Sequence, residues 1–97
     1  MTRIVLVLAL VAGCVRPAPP AVTASDAERA HVELAELQRG RELLVKKCGG
    51  ACHVVPLPTQ HASAEWPSRL DEMAQRSGLD RSQRRLIEQY LVTMSTR

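Results

Sequence analysis

The amino-acid sequence predicts an all-α domain made of three short helices. Apolar residues recur at helical spacing in three stretches, and no stretch alternates apolar and polar residues as a strand does. A length of 97 residues suits one small domain. The chain has no Phe, one Trp and one Tyr. Because so small a core is hard to stabilise with few aromatic side chains, we expect a cofactor, metal or disulfide to contribute.

The first predicted helix covers residues 25–47. Ser25 can cap it, and Glu28 can reach back to the cap. Gly40 lies inside this helix, where glycine costs roughly 1 kcal/mol relative to alanine. The glycine is either tolerated, breaks the helix in two, or admits a closely crossing helix. The apolar positions, counted with the aliphatic part of Arg41, are Ala30, Leu34, Leu37, Leu44 and Cys48.

The second predicted helix begins near Ser63 and carries Pro67 in its first turn, where proline is accepted. Its apolar positions share one face because they stand at i, i+4 and i+7: Trp66, Leu70 and Met73. Gly78 can end this helix in the left-handed conformation.

The third predicted helix is capped by Asp80, with Gln83 at the reciprocal position. Its apolar stripe consists of Leu86, Ile87, Tyr90, Leu91 and Met94. Three arginines lie near its start, Arg81, Arg84 and Arg85. We interpret them as a solvated face; the alternative is a docking patch for an acidic partner.

The amino terminus is typical of an export signal. Arg3 precedes the apolar residues 4–12, which are too few to span a bilayer comfortably. The tetrad VAGC at residues 11–14 resembles the lipobox of bacterial lipoproteins, which implies lipidation of Cys14; an ordinary signal peptide with an incidental cysteine is the alternative. We expect a signal peptide at 1–13, a Pro/Ala-rich tether at 14–24 and a folded domain at 25–97.

A compact motif, CGGACH, follows the first helix at residues 48–53. If Cys14 carries lipid, Cys48 and Cys52 remain as a pair, and His53 follows at once. Two thiols and an imidazole in one turn suit covalent haem, with one thioether from each cysteine and His53 on the iron. The usual spacing has two residues between the cysteines, and here there are three. A disulfide in an oxidising compartment, and a metal site shared with His53, His61 or His31, are the alternatives.

GRELL at residues 40–44, the motif at 48–53 and Tyr90-Leu91 together resemble the small class I-like monohaem cytochrome c domains of bacteria. The resemblance covers residues 40–91. It implies a three-helix domain packed around one covalently attached haem c, and a crossing of the first and last helices at Gly40 and Tyr90. Leu44 stands where an aromatic residue is common in that family.

The resemblance also favours Met73 as the second ligand of the haem iron, with Met94 near the carboxyl terminus and His61 as the other candidates. It implies single-electron transfer with redox protein partners at the bacterial cell envelope, from a lipid anchor facing the periplasm. We expect a carrier rather than an enzyme. The net charge of +3, without an aromatic-rich basic patch, gives no reason to expect nucleic-acid binding.

Overall fold

All regular secondary structure in the described residues is helical. A computed structural model describes residues 18–49 and 55–97 of the chain. Within these ranges the helices are α1 (Ala24–Ala30), α2 (Leu34–Cys48), α3 (Trp66–Ser77) and α4 (Arg81–Ser95), and two 3₁₀ turns (Pro58–Gln60 and Ser63–Glu65) precede α3. The predicted all-α class is confirmed. The predicted helix number is wrong, because four α-helices are present in these two ranges instead of three.

The additional helix arises because the predicted first helix is divided at His31. This residue adopts the left-handed conformation (φ 55°, ψ 42°), and its amide donates to the carbonyls of Ala27 and Glu28. Left-handed backbone is uncommon for residues other than glycine, and it ends an α-helix. Val32 and Glu33 then lead into α2, where Gly40 is helical. The break therefore lies nine residues before the glycine that the sequence offered as a break point.

The cap of α1 is Thr23 and not the predicted Ser25. The Thr23 hydroxyl accepts from the Asp26 amide, and the Asp26 carboxylate accepts from the Thr23 amide at 2.8 Å. Arg29 donates to the same carboxylate at 3.0 Å. Burial alone would raise the pKa of Asp26, but the hydrogen bonds from Thr23 and Arg29 and the positive charge of Arg97 lower it below its ordinary value.

The principal helix pair is α2 against α4, which cross where α2 has no side chain. A Cβ atom built on Gly40 would overlap the carbonyl oxygen of Leu86 and lie 3.0 Å from Tyr90 Cβ. Glycine is therefore required for the two backbones to approach this closely. The predicted crossing of Gly40 and Tyr90 is confirmed, and the glycine is explained by packing.

The core is assembled from the inner faces of α2, α3 and α4. It contains most of the residues predicted from helical spacing, and also Leu43, which was not among them. The predicted members are Leu44, Cys48, Trp66, Leu70, Ile87, Tyr90, Leu91 and Met94. Leu86 and Met73 pack against this cluster and are partly buried. The cluster thus includes Cys48, the last residue of α2, and Met94, which lies near the end of α4.

The boundaries between α3 and α4 follow the predicted signals. Gly78 is left-handed (φ 64°), and its amide donates to the carbonyl of Ala74. Asp80 accepts from the Gln83 amide at 2.8 Å, and the Gln83 side chain accepts from the Asp80 amide at 3.1 Å. Both the left-handed end of α3 and the reciprocal cap of α4 are confirmed.

Gly40→Ala tests the close crossing, because helix propensity and packing give it opposite signs. Propensity alone would stabilise the helix by roughly 1 kcal/mol. We expect a loss of about 1–3 kcal/mol in the free energy of unfolding, since the added methyl group meets backbone that cannot rotate away. Urea unfolding measures it, with Gln38→Ala on the exposed side of α2 as the control. A Gly40→Ala protein as stable as the native one would contradict this packing.

The single tyrosine gives the fold a dependence on alkaline pH. Burial raises the pKa of Tyr90 to about 12, whereas an unfolded chain titrates near its ordinary value of about 10. The unfolded state therefore loses the proton first, and stability should fall as the pH rises through this interval. Urea unfolding of the native protein and of Tyr90→Phe, from pH 8 to 11.5, measures how the free energy of unfolding depends on pH. Parallel curves for the two proteins would show that Tyr90 does not contribute.

Candidate functional site

Two of the residues predicted for the site, Cys48 and Met73, belong to the described part of the chain. Cys14, Cys52 and His53 lie outside the described residues, and their roles remain predictions. The described part of the site therefore consists of Cys48 and Gly49, at the α2 end of the CGGACH motif, and of α3.

Cys48 is the last residue of α2, and its side chain points into the core. It is 8% exposed and belongs to the same apolar cluster as Leu44, Trp66 and Leu70. Gly49, at the C-cap, lies against Val55, whose Cγ2 atom would be 3.0 Å from a Cβ on the glycine. The two described ranges of the chain therefore meet here, at Gly49 and Val55.

The Cys48 thiol is held in its neutral form. Burial raises its pKa, and a hydrogen bond with Ser77 opposes that shift without overcoming it. Redox-active cysteines have the reverse character, with lowered pKa values and accessible sulfur atoms. Cys48 therefore has the character of a structural or attachment thiol and not of an exchange nucleophile.

Met73 lies on the core-facing side of α3, as predicted. Trp66 and Leu70 on the same face are 1% and 0% exposed, and Met73 packs against the core while remaining partly buried. Ser77 follows Met73 by one helical turn and lies near enough to the Cys48 thiol to influence its pKa. The structure therefore brings the Met73 face of α3 to the same end of the domain as Cys48. Sequence reasoning missed Ser77, whose only signal was its position four residues after Met73.

The indole of Trp66 fixes the chain that leads from the motif to α3. Its Nε1 donates to the carbonyl of Pro58 at 3.0 Å, and both residues are buried. Since a buried indole N–H needs an acceptor, this bond sets where the returning chain lies against α3. The Pro58 carbonyl is therefore occupied by Trp66.

Met94 and His61, the other candidate iron ligands, and His31, a candidate for the alternative metal site, lie in three different environments. Met94 is 1% exposed and lies inside the core, although the sequence had suggested a position at a fraying terminus. His61 Nδ1 lies 3.3 Å from the Glu65 carboxylate, and its ring packs edge-on against Trp66 at a centroid distance of 4.9 Å. His31 is exposed at the end of α1.

The basic cluster of α4 is partly used for packing contacts. Arg84 pairs with the Asp71 carboxylate and donates to the Pro67 carbonyl, so it ties the start of α4 to α3. Arg85 lies 3.8 Å from the Glu36 carboxylate and is mostly exposed. Because such exposed pairs stabilise weakly, the cluster is best described as a solvated face with one structural arginine.

The described residues contain neither a further cluster of metal-binding side chains nor a helix able to cross a membrane, and the chain matches no known protein. Within 18–49 and 55–97, no three His, Cys, Asp or Glu side chains are grouped so that they could hold a metal ion. No helix in these ranges has the length and apolar character needed to cross a membrane. No protein-family model, curated protein or solved structure matches the chain.

The reactivity of Cys48 tests its buried, neutral state. In a chain carrying Cys14→Ser and Cys52→Ser, Cys48 is the one remaining thiol. We expect iodoacetamide to alkylate it at pH 7 more slowly than it alkylates a free thiol such as glutathione, because both thiolate fraction and access are reduced. The same chain unfolded in urea is the control and should react at the free-thiol rate. A folded chain that reacts faster than glutathione would favour a redox-active cysteine.

Proposed function

We propose that this protein is a lipid-anchored c-type cytochrome that carries single electrons at the bacterial cell envelope. The observation that carries the proposal is the placement of Cys48. It closes α2, is buried among apolar residues from three helices, and begins the CGGACH motif at the point where the helix ends.

The surroundings of Cys48 suit a large apolar group held by thioethers. Val55, Met73 and Leu79 pack against the core cluster and remain partly exposed. They give an apolar border that a planar macrocycle could cover. The Cys48 thiol would supply one of the two thioether bonds to such a group.

Each residue of the site has one role in this proposal. Cys48 and Cys52 would hold the haem covalently, and His53 and Met73 would ligate its iron. Haem supplies one-electron chemistry at its iron. The chain would position the haem, because Cys48 on α2 and Met73 on α3 belong to helices that share one core. The thioether of Met73 would raise the reduction potential of the iron relative to that with a second imidazole.

The competing function is that of an exported thiol-disulfide or metal-binding lipoprotein that uses Cys48, Cys52 and His53. The raised pKa of the Cys48 thiol disfavours the exchange activity, since an attacking cysteine needs an accessible thiolate. Colour separates the two functions cheaply. Purified from a host that attaches haem, the cytochrome is red and its visible spectrum changes on reduction; a colourless preparation from that host refutes haem.

The anchor is tested by Cys14→Ser. If Cys14 is the lipidated first residue of the mature chain, the substitution leaves no thiol to acylate. We expect the protein to move from the membrane fraction to the soluble fraction, or to accumulate with its signal segment uncleaved. Fractionation and the mass of the amino-terminal peptide measure this. The same membrane fraction and peptide mass in the variant and the native protein would exclude lipidation.

The second iron ligand is tested by three alanine variants. We expect Met73→Ala to abolish the weak red absorption band of thioether-ligated ferric haem and to lower the potential, because the sulfur ligand is lost. Met94→Ala removes a core side chain of the same type and is the matched control; it should lower stability and leave the band intact. His61→Ala should also keep the band. An unchanged spectrum and potential in Met73→Ala, with both altered in Met94→Ala or in His61→Ala, would assign the ligand to that residue instead.

A further inference from the structure

Residues 18–23, which directly precede α1, are bound to the folded domain instead of extending away from it. We refer to residues 18–23 as the strap. Pro19 is buried, and Val22 packs against the core cluster. The sequence had predicted a semi-extended tether over residues 14–24, and the described end of that stretch is docked.

Two helices hold the strap through consecutive carbonyl groups. The guanidinium of Arg41 on α2 donates to the Pro19 carbonyl from Nε at 3.1 Å and from Nη2 at 2.9 Å. The hydroxyl of Tyr90 on α4 donates to the Pro20 carbonyl at 2.6 Å. Proline has no amide hydrogen, so its carbonyl is its one backbone hydrogen-bonding group. Both carbonyls are thus satisfied by the domain, at the α2–α4 crossing.

We propose that the strap fixes the α2–α4 crossing against the membrane, so that this side of the domain faces the lipid headgroups. The proposal rests on the lipidation of Cys14 given above. It assigns a membrane-facing surface, defined by the strap, Arg41 and Tyr90, to a domain that would otherwise rotate freely on its anchor.

Chain length limits how far the domain can stand from the bilayer. Cys14 and Ala18 are separated by four residue steps, which span at most about 14 Å when fully extended. If the chain were undocked up to Ala24, ten steps would allow about 35 Å. A lipid on Cys14 therefore holds Ala18, the start of the strap, within about 14 Å of the attachment point, and Pro20, whose carbonyl accepts from Tyr90, within about 21 Å.

The charges beside the strap suit an anionic surface. Arg41, Arg97 and Asp26 are the charged groups that act on the Tyr90 hydroxyl. The side chain of Asp26 is 4% exposed, whereas those of Arg29 and Arg97, which pair with it, are 38% and 43% exposed. Positive charge is thus presented on this side while the carboxylate is covered, and guanidinium groups attract anionic headgroups.

Paramagnetic relaxation on vesicles tests the orientation. A ketone-bearing residue is introduced at exposed position 38, one turn before Arg41, or at exposed position 76 on α3, which receives none of the described strap hydrogen bonds. It carries a nitroxide and spares the native cysteines. The lipidated, haem-loaded protein is placed on vesicles with nickel-chelating headgroups. We expect a nickel-induced relaxation enhancement several-fold larger at position 38 than at position 76.

Variants identify the strap as the cause of the difference. Arg41→Met combined with Tyr90→Phe removes the donor groups, since neither Met nor Phe has a side-chain N–H or O–H, and keeps an unbranched apolar chain at position 41 and the ring at position 90. We expect it to abolish the difference between positions 38 and 76. Arg39→Met, which removes an exposed arginine of the same helix, is the matched control and should preserve it. A double variant that retains the full difference would overturn the proposal.

The outcomes separate this proposal from the proposed function. A protein that stays in the soluble fraction, with no relaxation effect at either position, refutes the lipid anchor and the membrane-facing surface together. A membrane-bound, lipidated protein with equal enhancement at both positions refutes the surface and leaves the anchor and the cytochrome function standing.

Discussion

The close contact between the backbones of α2 and α4 at Gly40 determines how the rest of the domain is arranged. With no side chain at this point, the Leu86 carbonyl can lie directly against α2. The rings and aliphatic chains on either side, including Tyr90 and Leu44, are then enclosed. A larger residue would separate the helices and open the core along their whole length. Dispersion contacts at this density are individually weak, and their sum depends on this spacing.

The pair of helices that cross here, α2 and α4, also positions Cys48 and the strap, the two features on which the proposed function depends. Towards its carboxyl end, α2 delivers Cys48 into the core, where Ser77 of α3 meets the thiol. Near the crossing itself, Arg41 and Tyr90 hold the strap. This pair of helices therefore connects Cys48 to the strap. In the proposed function it relates the position of the redox group to the side of the domain that faces the bilayer, since Cys48 and the strap are held by the same two helices.

Local signals in the sequence predicted the elements whose ends are set by local chemistry. Gly78 and the Asp80 cap were predicted because one glycine and one side-chain hydrogen bond decide them. The division at His31 was missed because no residue there signals a left-handed backbone. Thr23 and Ser25 each begin a capping pattern, and the sequence alone does not choose between them; in the structure the Asp26 carboxylate accepts from Thr23 and Arg29 and lies 3.5 Å from Arg97 of the carboxyl terminus. The position of Cys48 at a helix end was predictable; its contact with Ser77 depends on the packing of α3.

The central claim is that the CGGACH motif carries one covalently attached haem. The intact mass of the mature protein, purified from a host able to attach haem and measured under denaturing conditions, tests it most directly. We expect the mass of the mature chain plus its lipid and one haem. In Cys48→Ser and in Cys52→Ser, one of the two thioether bonds to the haem should be lost. A native protein without haem mass, and lighter by the two hydrogens that a disulfide removes, would contradict it and establish the competing thiol chemistry.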